Sequence, residues 1–237
     1  MVSALVNQCD HRATRYRRST GPKARTKPAS GNVALSIVVG SELVRRMYVP
    51  RKITPVMHVA LLRGINVGKA KRVAMSELRA LCESLGYGDV QTLLNSGNIV
   101  FSAPRADSRA ATRIEKEIAS RLGVDSRVLV ITGSELEAIV AENPLPECDV
   151  SPSRFLVTVL ARDADRARLE QLVTQSWGAE RMRLGSRAVY LWCANGINES
   201  KAVLALGKAV GSAGTSRNWA TIRKLQALTQ PDPAARA

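Results

Sequence analysis

The stretch Val90-Gln91-Thr92-Leu93-Leu94-Asn95-Ser96-Gly97-Asn98-Ile99-Val100-Phe101-Ser102 sets two apolar runs on either side of four polar residues. Asn95 to Asn98 tolerate positive φ, so the pattern predicts a β-hairpin with strands over 90–94 and 99–102. Helical periodicity lies on both sides of it. Upstream, Leu78, Leu81, Cys82 and Leu85 fall at i, i+3, i+4 and i+7, with Ser76 placed to cap the helix and Gly86 to end it. Downstream, Ala111, Ile114, Ile118 and Leu122 line one face of a second helix over 108–122 that stops at Gly123. Apolar runs at 58–62 and 128–131 complete the series as strands. The order is β-α-β-β-α-β, the split βαβ or ferredoxin-like unit, in which two helices cover one face of a four-stranded antiparallel sheet.

Most of the pattern then recurs. Ser134 with Glu137 reads as a capping box opening a short bridging helix that Pro144 stops, and the Pro- and acid-containing residues 143–152 read as a linker. Residues 155–160 are a strand, 164–175 a helix, and Gly185-Ser186 carries the signal of a type II′ hairpin between two short strands. Asn198 can cap a helix holding Val203, Leu206 and Val210. A last helix is expected from about Arg217, with Thr215 or Ser216 as its cap and Trp219, Ile222, Leu225 and Leu228 on its apolar face. The second half therefore reads β-α-β-β-α-α, a degenerate copy. The expected fold is α+β with two ferredoxin-like halves, over 57–142 and 153–237.

The chain has 237 residues, 45% hydrophobic and 23% charged, with a formal charge of +15. Residues 1–56 hold 11 Lys or Arg against two acids, whereas the remainder holds 24 against 18. Such an Arg-, Ser-, Thr- and Pro-rich segment cannot bury enough apolar surface to offset its ordering entropy, so disorder is expected over 1–56. It reads as a basic arm for nucleic acid or acidic membrane, as a targeting peptide, or as sequence upstream of the true start. Met57, immediately before the first clear strand, favours the last. The apolar run 33–39 is too short for a membrane helix, which takes roughly 20 residues. Cys9, Cys82, Cys148 and Cys193 are widely spaced, and no CxxC pair or His/Cys ligand spacing occurs. These features point to a cytoplasmic protein with no metal and no cofactor.

Four loop segments carry more specific polar residues: Arg63-Gly64-Ile65-Asn66-Val67-Gly68-Lys69, Asn95-Ser96-Gly97-Asn98, 195–201, and Thr215-Ser216-Arg217-Asn218-Trp219. They are rich in donors and poor in acids. Glycines let backbone N–H groups approach a ligand, and Arg or Lys supplies compensating charge, which is anion-binding chemistry. The first segment is not a Walker A loop. Three residues instead of four separate its glycines, and Ala70 stands where Ser or Thr would meet magnesium. Each segment also has a plain structural reading: a tight turn at Gly64, a surface ion pair for Arg63 or Arg217, a solvated Lys201, and a core position for Trp219. An arginine in the first turn of a helix would oppose the macrodipole, and a bound anion would relieve that conflict at Arg217. No Gly-x-Ser-x-Gly elbow or HExxH motif is present.

The residues RGINVGK at 63–69, LLNSGNIVF at 93–101 and TSRNWATIRKL at 215–225 resemble the signatures of the bacterial domain-of-unknown-function family 1697, over about 57–228. NGINESK at 195–201 resembles a fourth family segment, Gly-x-x-x-Ser-Lys, while Lys69-Ala70 departs from the usual second glycine. The resemblance implies a fold of two ferredoxin-like parts and no established activity. It marks Arg63, Asn66, Asn95, Asn98, Lys201 and Arg217 as a shared site, to which Gly64, Gly68, Ser96, Gly97 and Asn218 belong by position. The expected partner is a small phosphate- or carboxylate-bearing ligand at loops between the halves. Nucleic-acid binding by the basic surface or tail, and a non-catalytic protein-interaction module, are the alternatives. A sheet that stacks bases needs aromatics on its open face, and only Phe101 is offered.

Overall fold

The computed structural model describes residues 54–66, 72–162 and 164–230. The expectations for the basic tail, and for Gly68 and Lys69, lie outside the described residues. The first half runs β1 (Val56–Arg63), α1 (Met75–Ser84), β2 (Gly88–Leu93), β3 (Asn98–Ala103), α2 (Ala110–Glu117) and β4 (Arg127–Thr132). One π-helical turn, Ile118–Leu122, prolongs α2 and ends at Gly123, whose φ of 62° is left-handed. A bridging helix α3 (Gly133–Ala141) and a short α4 (Glu147–Val150) follow. The second half runs β5 (Phe155–Leu160), α5 (Arg166–Val173), β6 (Arg181–Leu184), β7 (Ala188–Trp192), α6 (Lys201–Val210), β8 (Gly214–Asn218) and α7 (Trp219–Thr229).

The strand orders are β2-β3-β1-β4 and β6-β7-β5-β8, with antiparallel neighbours throughout. The fold is α+β with two ferredoxin-like halves, and the second copy is complete. The polar residues Thr215-Ser216-Arg217-Asn218 form its fourth strand, in register with Leu156–Val159, and do not open a helix. Pairing with the fully buried β5 overrides their weak strand propensity. Arg217 consequently lies in β8, outside the first turn of α7, and Asn218 takes the cap, accepting the Thr221 N–H at 2.9 Å.

Three cores hold the layers together. Ile99, Phe101, Ala60 and Leu62 pack under α1 and α2, and Leu156, Val189, Leu191 and Leu160 pack under α5 and α6. The opposite faces of both sheets share the third core. Val59, Leu61 and Val100 of one sheet and Val157, Val159 and Tyr190 of the other meet Leu136 and Ile139 of α3 and Trp219, Ile222 and Leu225 of α7. Both faces of both sheets are thus covered. Phe101 lies on the helix side, stacked on His58 with ring centroids 5.1 Å apart.

Several local expectations change. Helix α1 starts at Met75 after an Ala74 that makes no side-chain cap, so Ser76 sits inside the first turn. The capping box is Thr132 with Glu135, two residues earlier than Ser134 with Glu137, because Thr132 ends β4 and enters α3 directly. Ser200, not Asn198, caps α6. Within 143–152, Leu145 and Cys148 are buried in the shared core while Val150 is exposed. Gly185 does not adopt positive φ, so the hairpin is not type II′. Its glycine makes room, since a Cβ there would lie 2.7 Å from the Glu142 carboxylate, which accepts the Ser186 N–H at 2.8 Å.

Tyr190 ties the halves together by donating its hydroxyl to the Ile139 carbonyl at 2.6 Å. That carbonyl is in the last turn of α3, where helical acceptors lack intrahelical partners. Tyr190→Phe is expected to cost about 1–2 kcal/mol by leaving it unsatisfied in the core. Urea unfolding would measure the loss, and an unchanged midpoint would contradict it.

Candidate functional site

Three of the four predicted loop segments converge, largely through bonds to one another. Asn66, at φ 54°, donates its side-chain amide to the carbonyls of Val73 (3.1 Å) and Asn95 (2.8 Å) and accepts the Val73 N–H at 2.8 Å. It clamps both ends of its own loop to the β2–β3 turn. Asn98, fully buried, donates to the Leu93 carbonyl at 2.8 Å and to the Ser96 hydroxyl at 3.0 Å. Its side-chain oxygen accepts Arg217 Nε–H.

Arg217 reaches from β8 in the second half into this turn. Its Nη1 donates to the Thr215 hydroxyl at 2.9 Å and the Ser216 carbonyl at 2.8 Å. Nη2 donates to Leu62 at 2.7 Å and to the carbonyls of Ser96 and Gly97, both at 3.3 Å. A guanidinium has five N–H donors, and all are engaged within the protein. None of the acceptors is a carboxylate, so the cation is uncompensated, and burial pushes the guanidinium down to about 10.

Arg63, at the end of β1, donates to the carbonyls of Gly211 and Gly214 in the second half. It also lines a cleft of about 660 Å³ between the halves. Edge strand β4 forms one wall, and residues 161–162 and 212–215 form another. Register places Arg127 of β4 directly opposite Arg63. Like charges directly opposed across a ladder are destabilising unless an anion meets them. Arg63 has no carboxylate partner among the described residues, and the nearest carboxylate oxygen of Glu115 is 3.9 Å from Arg127.

At the other end of β4, Glu135 accepts from Arg162 at 2.9 Å and Arg187 at 3.2 Å while serving the capping box. Arg187 lines the cleft, and its Nε–H is buried without an acceptor. His58 forms part of the same wall. It contacts the Val56 carbonyl through Nδ1 at 2.9 Å and accepts the Asp107 N–H through Nε2 at 3.3 Å. Burial holds its imidazole below the ordinary value, consistent with a neutral ring.

The profile of the family described as "Protein of unknown function (DUF1697)" matches residues 56–190, more than half of the chain. The chain belongs to the DUF1697 family. The conserved bacterial protein SP0830 from Streptococcus pneumoniae, a solved structure, is similar at 22% identity and a TM-score of 0.64, over 75% of this chain and all of that one. That likeness concerns the fold. No match was found among curated proteins.

In this DUF1697 chain the motif residues divide by location. Arg63, Asn66, Asn95, Ser96, Gly97, Asn98 and Arg217 meet at the seam, with Gly64 (φ 82°) in the turn beside Arg63. Lys201 does not join them. It begins α6, whereas Arg63 meets Gly211 just past the other end of that helix, about 15 Å away at helical rise. Asn218 is occupied as the cap of α7. Arg127, Arg162 and Arg187 are the cleft residues that motif reading misses. Topology carries the signal for Arg127, since the last residue of β1 and the first of β4 are neighbours in any split βαβ sheet that pairs these strands antiparallel.

Among the described residues, no group of three or more His, Cys, Asp or Glu could hold a metal ion, and no helix is long and apolar enough to cross a membrane. Cys82 is buried, and burial raises its thiol to about 12, far from a reactive thiolate.

Proposed function

We propose that the protein binds a small phosphate- or carboxylate-bearing ligand in the cleft between its halves, with Arg63 and Arg127 as the primary cations. The opposed arginine pair carries this reading, because an anion between them replaces a repulsion with two charge-assisted contacts. Arg187, with an unused buried N–H, supplies a further donor on the cleft wall. The covered sheet faces and the inward position of Phe101 favour a small ligand over a base-stacking nucleic-acid platform. The buried free thiols Cys82, Cys148 and Cys193 suit a reducing cytoplasm.

Calorimetric titration of the full chain with inorganic phosphate, pyrophosphate and citrate tests the reading. At least one anion is expected to bind, with affinity falling tenfold or more in Arg63→Ala and in Arg127→Ala. Lys201→Ala, distant from the cleft, is expected to bind as the parent does. Equal affinity in all four proteins, or no binding of any anion, the carboxylates tested below included, would overturn the proposal.

A further inference from the structure

The free edge of β4 narrows the ligand class. Backbone groups of an antiparallel edge strand point alternately toward and away from its partner. The Val128 N–H donates to the Glu115 carboxylate at 2.8 Å and the Thr132 N–H to the Glu135 carboxylate at 2.9 Å. Both therefore point away from β1. The β1–β4 register is unbroken between them, so the N–H and C=O of Val130 point the same way, into the cleft that Val130 lines. No side chain among the described residues accepts that N–H.

The edge is thus closed by a carboxylate about 7 Å to either side of one open donor–acceptor residue. An edge open along its length would invite a whole strand, whereas this one has room to pair a single residue. A residue of a peptide offers the complementary pattern, exchanging both hydrogen bonds with Val130 as in an antiparallel ladder. Three residues along β4, about 10 Å from Val130, stands Arg127 with Arg63 opposite. Glu115 already holds the Val128 N–H, Glu135 is shared by Arg162 and Arg187, and Asp107 is paired with Arg113 and Tyr87. Among the described arginines that line the cleft, Arg63 is the one without a carboxylate partner.

We propose that the anionic ligand is a peptidic carboxylate: a short acylated peptide that pairs one residue with Val130 and sets its C-terminal carboxylate against Arg63 and Arg127. The assignment rests on the anion reading above and adds the amide requirement to it. The chain direction follows, because a carboxylate at the Arg127 end makes the peptide antiparallel to β4. Glu115 obliges it to leave the strand path within a residue or two, so the ligand is short.

The test compares N-acetyl-trialanine, its C-terminal amide and hexanoate, a carboxylate of similar reach with no amide, on the full-length protein. N-acetyl-trialanine is expected to bind at least tenfold tighter than either control and to slow exchange of the Val130 amide at least tenfold. Val130→Pro removes an N–H that points away from β1, a place where edge strands accept proline, along with a side chain packed against the helix-side core, and is expected to reduce the peptide to the affinity of hexanoate. Should that variant misfold, amide exchange in the parent protein decides. Equal binding of peptide and hexanoate with no protection at Val130 would overturn the peptidic assignment and leave the anion reading standing. Failure of phosphate, pyrophosphate, citrate, hexanoate and peptide alike would overturn both.

Discussion

Arg217→Ala is expected to destabilise the protein by about 3 kcal/mol, seen as a melting temperature lower by roughly 6–12 °C for a chain of this size. The substitution deletes donors to the carbonyls of Leu62, Ser96, Gly97 and Ser216 and to the side chains of Thr215 and Asn98. Asn98 is fully buried, so its oxygen cannot turn to water when the guanidinium goes. Loss of one partner from a buried hydrogen bond leaves the other with its full desolvation cost, which exceeds the net worth of the bond. Against this stands relief from burying an uncompensated cation, the burial that pushes Arg217 down to about 10. The desolvated acceptors outnumber that single gain. Arg217→Lys keeps the charge but not the planar five-donor fork, so an intermediate loss is expected. Urea unfolding of parent and both variants gives the comparison. A loss below 1 kcal/mol for the alanine variant would mean that Arg217 braces nothing and is poised for a ligand instead.

That expectation reverses the most direct reading of the motif. Donor-rich, acid-poor loops suggested an anion site, yet Asn66, Asn98 and Arg217 direct their donors at carbonyl oxygens of the chain itself. Composition identifies such residues because a backbone turn and an anion ask for the same donors. Only the folded arrangement decides which acceptor is present. The β-α-β-β-α-β order was legible because apolar runs and helical repeats extend over whole elements, whereas the core shared by the two sheets was not, although β5 is buried along its whole length. Strand β8 was not, since Gly214–Asn218 has no apolar alternation and owes its conformation to pairing with β5. The Arg63–Arg127 opposition was equally hidden in local sequence, being a property of register between segments 64 residues apart in number. Linker packing escaped for a related reason: Leu145 and Cys148 are isolated apolar residues among prolines and acids, and their burial depends on the second half folding back over them.

Gly97→Ala is expected to cost about 3 kcal/mol, whereas Gly64→Ala, at a similar backbone angle, should cost about 1 kcal/mol. Both glycines adopt left-handed φ, 75° at Gly97 and 82° at Gly64, so each substitution incurs backbone strain of about 1 kcal/mol. The difference lies in space. A Cβ on Gly97 would fall 2.6 Å from Ile65 Cδ1 and 2.7 Å from Leu62 Cβ, while nothing described lies within 4 Å of one on Gly64. Leu62 and Ile65 are buried in the helix-side core and cannot move aside without displacing it, so the overpacking term applies at Gly97 alone. The Gly97 carbonyl also accepts the Leu62 N–H at 2.8 Å and takes Arg217, so a shifted turn would loosen the brace between the halves. Residues that share one network do not add. The double variant of Gly97→Ala with Arg217→Ala should therefore lose measurably less than the sum of the single losses, because either change already releases the turn. Matched urea curves for the four proteins measure that coupling, and strict additivity would show that turn and arginine stabilise the seam independently.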